Sequence, residues 1–126
     1  MTVLALRRDA LCPSTLLAKT VNTNPVVIRR LLLDLQEAGL VKTVRGPAGG
    51  ARLARAASRI KVRDIYRAVE EPALFAAHRH KPSKACPVGC KIESVLEQLF
   101  QRASKALERE FESVTLEALV RKIRRG

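Results

Sequence analysis

Between Asn24 and Gly39 the residues spell out a helix together with its start, its buried face and its stop. Asn24 can accept from the orphan amides of a first turn, while Pro25 occupies the first helical position, where no amide donor is needed. Ile28, Leu31, Leu32 and Leu35 then fall at i, i+3, i+4 and i+7, and Gly39 supplies a left-handed stop. The helix is expected over Pro25 to Ala38, a rod of about 21 Å at a rise of about 1.5 Å per residue. Any fold must bury that stripe, which leaves Val26, Arg29, Arg30 and Leu33 on the opposite, outward face.

The flanking segments define what surrounds this rod. Ser14 is placed to cap a short helix from Thr15 to about Thr20, which Asn22-Thr23-Asn24 breaks. Downstream, Leu40 to Val44 alternates as a strand should, and Ala51 to Ala54 can return after the Gly-rich tip Gly46-Pro47-Ala48-Gly49-Gly50. Helix, turn, helix and basic hairpin together read as a winged helix-turn-helix. In that motif the second helix presents its N-terminal residues to base edges. Arg29 is the first candidate for base readout, with Arg30 and Val26 beside it and Thr23 and Asn24 as phosphate donors. Lys42, Arg45 and Arg52 on the hairpin suit contacts to backbone or a narrow minor groove.

Charge supports a polyanionic partner: 24 Lys and Arg against 12 Asp and Glu give a net charge of +12 over 126 residues. The 47% hydrophobic content is too high for a disordered basic tail. Aromatic residues are only 3% of the chain, which argues against proteins that stack successive bases of single strands and favours duplex DNA. No apolar run is long enough to span a bilayer, and Met1 to Ala10 carries charges where a signal peptide needs apolar residues, so a cytoplasmic location without membrane contact is expected.

Beyond the hairpin, Val62, Ile65, Tyr66 and Val69 line one side of a helix expected from Lys61 to Glu71 and ended by Pro72. Residues 73–85 have no period and read as a linker. A long helix follows with two apolar lines, one through Ile92, Leu96, Leu99, Ala103 and Ala106, the other through Val95, Phe100, Leu107 and Phe111. Two lines exceed what one partner surface needs, so a homodimer is expected through 92–111. Thr115 can cap a last helix, Leu116 to Ile123. The expected fold class is mainly α with a small β-hairpin wing. The winged DNA-binding domain occupies 1–72, a linker and sensor loop 73–91, and the dimerisation and C-terminal helices 92–126.

Three cysteines do not make a disulfide framework. Pro87 suits the first position of the long helix, making Cys86 its N-cap and Cys90 one turn in. Both then face the positive end of the dipole, close to Lys81, Lys84 and Lys91, where thiolate is favoured. The opposing reading is two unreactive, partly buried residues. An i, i+4 pair on a regular helix resists an internal disulfide, leaving an intersubunit bond as the alternative. No cofactor is required. An iron-sulfur cluster is the minority reading and would need Cys86 and Cys90 plus further ligands such as His78, His80, Cys12 or a partner-chain residue. His78 and His80 read as solvated rather than metal-binding, and Cys12 as a small packed residue. No nucleophile-base arrangement is present, and Asp9, Asp34 and Asp64 are scattered, so no enzyme activity is expected.

The ordered set "STLLA" at Ser14 to Ala18, "NPVVIRR" at Asn24 to Arg30, "AGLV" at Ala38 to Val41, "RGPAGG" at Arg45 to Gly50 and "IYRAVE" at Ile65 to Glu70, continuing into "CPVG" at Cys86 to Gly89 and "VTLEAL" at Val114 to Leu119, resembles the Rrf2 family of bacterial transcriptional regulators. The resemblance covers nearly the whole chain. It implies a dimeric winged-helix repressor or activator that senses redox state, iron-sulfur status, nitric oxide or a small metabolite. The family carries more residues ahead of the region matching Val3 to Arg8, so the first helix is expected to be truncated. Cluster-binding members carry three closely spaced cysteines where this chain has Cys86 and Cys90. Ala51 stands where an aromatic residue commonly follows the paired glycines, and the wing is expected to pack less firmly for it.

The function expected is a sequence-specific transcriptional regulator, a repressor by preference, binding a pseudo-palindromic operator in double-stranded DNA and responding to Cys86 and Cys90 chemistry or to an effector of unknown identity. The competing expectation is a basic architectural or RNA-binding protein that uses the same charge without base preference.

Overall fold

The computed structural model describes residues 1–69 and 85–126. Its elements run α1 (Thr2–Leu6), α2 (Ser14–Thr20), α3 (Pro25–Glu37), β1 (Val41–Val44), β2 (Gly50–Leu53), a 3-10 turn (Ala57–Arg59), α4 (Val62–Val69), α5 (Pro87–Glu112) and α6 (Leu116–Arg125). The expected linker from residue 73 to 84, with His78, His80, Lys81 and Lys84, and the helix end at Pro72 lie outside the described residues.

Local capping chemistry sets the two helices of the helix-turn-helix. The Asn24 side chain accepts from the Val27 amide at 3.1 Å, and Pro25 opens α3 as expected. At its other end the Gly39 amide donates to the Gln36 carbonyl and the Leu40 amide to the Leu35 carbonyl, both at 2.9 Å, with Gly39 at φ +74°. That is a Schellman stop, and the two leucines it brings together are both buried. The same motif ends α2, with Asn22 at φ +54° and the Thr23 amide donating to the Ala18 carbonyl at 2.9 Å. The turn therefore rests on an asparagine in the left-handed region, where Asn is tolerated and a β-branched residue is not. Ser14 differs from expectation. It is the first helical residue of α2, and Pro13 occupies the cap position without a side-chain hydrogen bond.

Ile28, Leu32 and Leu35 are buried, while Leu31, at one edge of the expected stripe, stays partly exposed. They join Leu4, Ala5, Leu17, Ala18, Leu40, Val41 and Ile60 in one core. Fully burying a side chain such as Leu40 contributes about 1.5–3 kcal/mol. The hairpin is antiparallel with Val41 opposite Leu53, Lys42 opposite Arg52, Thr43 opposite Ala51 and Val44 opposite Gly50. Ala51 sits at the anchor of the wing. It is fully buried, and its backbone exchanges two hydrogen bonds of 2.9 Å with Cys12, an anchor that does not depend on side-chain size. Cys12 is itself completely buried, a packed core residue.

The C-terminal helix returns to the winged part. Thr115 caps α6 by accepting from the Ala118 amide at 3.1 Å, the helix packs on α1, and Leu116 and Val120 belong to the same core as Leu4. A short antiparallel bridge between Lys61 and Thr115 fixes this return: the Val62 amide donates to the Val114 carbonyl at 2.9 Å and the Leu116 amide to the Ile60 carbonyl at 2.8 Å. Above the bridge α4 and α5 are joined by ion pairs. Arg67 holds Glu108 in a two-pronged contact at 2.9 Å, Arg63 meets Glu112 at 2.9 Å, and Tyr66 stacks edge-on against Phe111 with ring centroids 5.4 Å apart.

Candidate nucleic-acid interface

The outward face of α3 is assembled by the burial of its other side. With Ile28, Leu32 and Leu35 in the core, Val26, Arg29, Arg30 and Leu33 all point to solvent, Val26 with 69% and Leu33 with 62% of its surface exposed. Thr23 and Asn24 are exposed at the N-terminal end of the same helix. The Asn24 oxygen is committed to the Val27 amide, which leaves its NH2 group to donate outward.

The wing stands beside this face. A groove of about 480 Å³ runs between α3 and the hairpin, and Arg29, Leu33, Thr43, Val44 and Arg45 are among the residues that line it. Arg29 and Arg45 thus share one concavity. Lys42, Arg45 and Arg52 are exposed, and the strand register sets Lys42 directly opposite Arg52. Like charges in that position repel, so the hairpin carries a standing electrostatic cost that a bound anion would relieve. Arg30, Lys42 and Arg52 do not line the groove.

Tight turns hold the wing in place. A Cβ on Gly50 would lie 2.6 Å from the Cys12 carbonyl carbon and oxygen, so the approach of the hairpin to Cys12 requires the absence of a side chain there. From within β1 the Thr43 hydroxyl donates to the Gln36 side-chain carbonyl, tying the strand to the end of α3. Ser14 and Thr15 at the start of α2 also line the groove, a placement the sequence reading missed. The only sign of it in the sequence is a pair of hydroxyl residues after a Pro at a helix entry, which equally suits capping.

Cys86 is the N-cap of α5, as expected, with Pro87 at the first helical position. The thiol is exposed, and the backbone amides of Gly89 and Val88 hold its pKa below the ordinary thiol value. Cys90 lies in the first turn of α5; its side chain is outside the described ones. Along α5, Val95 and Leu99 are exposed, whereas Ile92, Leu96, Phe100, Ala103 and Leu107 are half-buried. Among the described residues no three His, Cys, Asp or Glu side chains gather into a metal-binding group, and no helix is long and apolar enough to cross a membrane.

A helix-turn-helix followed by a basic antiparallel hairpin defines the class: this is a winged helix-turn-helix transcription regulator. Residues 1–122 match the model of the Rrf2 family, described as an iron-dependent transcriptional regulator, and the chain belongs to that family. It is 38% identical over 109 residues to the HTH-type transcriptional regulator YwnA of Bacillus subtilis, spanning 86% of this chain and 80% of that one. Among solved structures it is similar to a transcriptional regulator of Lactobacillus plantarum at 27% identity and a TM-score of 0.81, covering 97% of this chain and 83% of that one. CymR, the global cysteine regulator of B. subtilis, is similar at 25% identity and a TM-score of 0.67, covering 96% and 87%.

Proposed function

We propose that this regulator is a cytoplasmic homodimer that binds a pseudo-palindromic operator and represses transcription, with α3 in the major groove and the wing against the flanking backbone or minor groove. Arg29 reads a base edge, Val26 lies on the groove floor, and Arg30, Thr23 and Asn24 support the approach through phosphates. Lys42, Arg45 and Arg52 contact the backbone from the wing. Residues 1–72 form the reading unit, 73–91 the sensor segment, and the long helix beyond Ile92 the dimer seam. Cys86 and Cys90 tune affinity through thiol chemistry.

The observation that carries this reading is the shared groove of Arg29 and Arg45: one arginine of the helix and one of the wing line the same space. A duplex inserts a base edge and a phosphate into such a space together. The seam finds support in the exposure of Val88, Val95 and Leu99, three apolar side chains along α5. The thiol input finds support in the exposed, acidified Cys86.

Titrating the parent chain and Arg29→Ala against a selected operator and a scrambled duplex tests the reading. Loss of one bidentate contact to guanine costs about 1–3 kcal/mol on the operator. The expected result is a loss confined largely to the operator. Equal losses on both duplexes would refute base reading by Arg29.

A further inference from the structure

The exposed face of α3 has an unusual chemical poverty. From Pro25 to Leu33 its residues are Pro, Val, Val, Ile, Arg, Arg, Leu, Leu and Leu, with no carboxylate, amide or hydroxyl among them. A carboxylate would accept from the cytosine amino group, and an amide would pair with both edge groups of adenine; neither is available along this stretch. Asn24, just ahead of it, cannot supply the second option, because its carbonyl oxygen is taken by the Val27 amide and an adenine pair needs both ends of the amide. Arginine pairs with guanine, and an apolar side chain contacts the thymine methyl. Those are the two readings left to the first nine residues of α3, the end that meets base edges.

We infer that α3 reads a two-letter code of guanine and thymine, in which Val26 recognises the C5-methyl group of a thymine beside the guanine bound by Arg29. This rests on the proposed operator-binding function and adds the chemistry of the site that is read. Val26 and Leu33 are the two most exposed large apolar side chains of the described winged part, and they flank the two arginines at i, i+3, i+4 and i+7. Val26 is the second residue of α3, at the end that meets base edges. It lies about 4.5 Å along the axis from Arg29, against a spacing of about 3.4 Å between successive bases, so the thymine falls within one or two base pairs of the guanine. The charge beside it makes a nucleic acid the occupant: Arg29 and Arg30 stand between Val26 and Leu33 on the same helix face, and Arg29 and Arg45 line a groove with Leu33, on a chain of net charge +12.

The test begins with selection of bound duplexes from a random library by the full chain. Each thymine of the selected half-site is then replaced by deoxyuridine, which removes only the methyl group. We expect one position per half-site to lose about fourfold in affinity, the equivalent of one buried methyl group. Cytosine at that position should bind worse than 5-methylcytosine. Val26→Ser, which puts a polar group where the apolar contact is made, should bind the thymine and uracil duplexes equally, with an unfolding midpoint close to the parent because the side chain is exposed. A selected site at which every uracil substitution is neutral, or at which Val26→Ser keeps the full methyl preference, overturns the inference while leaving the regulator reading intact. A selection that enriches no sequence overturns that reading, and this one with it.

Discussion

Lys42 and Arg52 face each other across the wing, and replacing Lys42 by Thr should move stability and DNA affinity in opposite directions. Directly opposite residues on one face of a hairpin have Cβ atoms about 4.5–5.5 Å apart, and two long flexible cations there can splay to about 7 Å. At that distance the repulsion in water is about 0.6 kcal/mol at low ionic strength, falling to about half of that at 0.1 M salt. Threonine removes the charge and suits a strand. In a chain of this size the expected gain in unfolding midpoint is about 2 °C, shrinking as salt is added. If Lys42 neutralises one phosphate, the slope of log affinity against log salt should flatten by about 0.9. Between 50 mM and 200 mM salt the parent should then lose about 3.5-fold more affinity than the variant, on operator and scrambled duplex alike. Calorimetric or circular-dichroism melts read the first arm and fluorescence anisotropy at several salt concentrations the second. A lowered melting point would refute the repulsion, and an unchanged salt slope would refute the phosphate contact.

Three further outcomes follow from the geometry. Gly50→Ala forces a Cβ to within 2.6 Å of the Cys12 backbone, so the wing must lift from its anchor; a loss of about 1–3 kcal/mol in urea unfolding is expected, and a parent-like midpoint would contradict the docking of the hairpin. Cys86 should be alkylated with a pH midpoint below the ordinary thiol value because the Gly89 and Val88 amides favour its thiolate, while Cys12 stays protected in the core; site-resolved mass spectrometry of iodoacetamide adducts would show the reverse if either environment were wrong. Hydrogen bonding to Arg67 holds the Glu108 carboxyl below the usual glutamate range, so its contribution is complete above the ordinary glutamate pKa and is lost as the pH falls through the depressed value. Glu108→Gln should therefore flatten the acid side of the stability profile measured by urea midpoints, and an identical profile would count against the pair.

Much of the fold was legible because its punctuation is local. Asn24-Pro25, Gly39, Cys86-Pro87 and Thr115 each act within four residues of themselves, and the structure puts helix ends at all of them. Ser14 misled for the same reason: a competent capping residue sat one position inside the helix that Pro13 already opened. The outward face of α3 was legible from its period alone, which located Arg29 and Arg30. The groove shared by Arg29 and Arg45 and the opposition of Lys42 to Arg52 were not. Both depend on hairpin register and on the Cys12–Ala51 anchor, and a backbone bridge between segments that far apart leaves no trace in either segment's composition.

The long helix shows how one element divides its surface between two tasks. Its C-terminal third presents Glu108 and Glu112 four residues apart, and α4 presents Arg63 and Arg67 at the same interval. Two helices with matched i, i+4 charges of opposite sign pair in antiparallel order, Arg63 to Glu112 and Arg67 to Glu108, and Phe111 against Tyr66 supplies the apolar contact between the rungs. That ladder was readable in principle, yet neither pair of arginines nor pair of glutamates is distinctive until the other is placed beside it. Exposed ion pairs add little stability individually, so their value here is orientation: together with the bridge at Lys61 and Thr115 they pin one end of α5 to the base of the winged unit. Val88, Val95 and Leu99 lie on the remaining two thirds, at 68%, 57% and 54% exposure, away from the pinned end. Among the described residues the exposed apolar surface of α5 is therefore concentrated between Cys86 and the first salt bridge, so that a second copy seated there would bring its contacts along the same stretch of helix that the exposed Cys86 thiol caps.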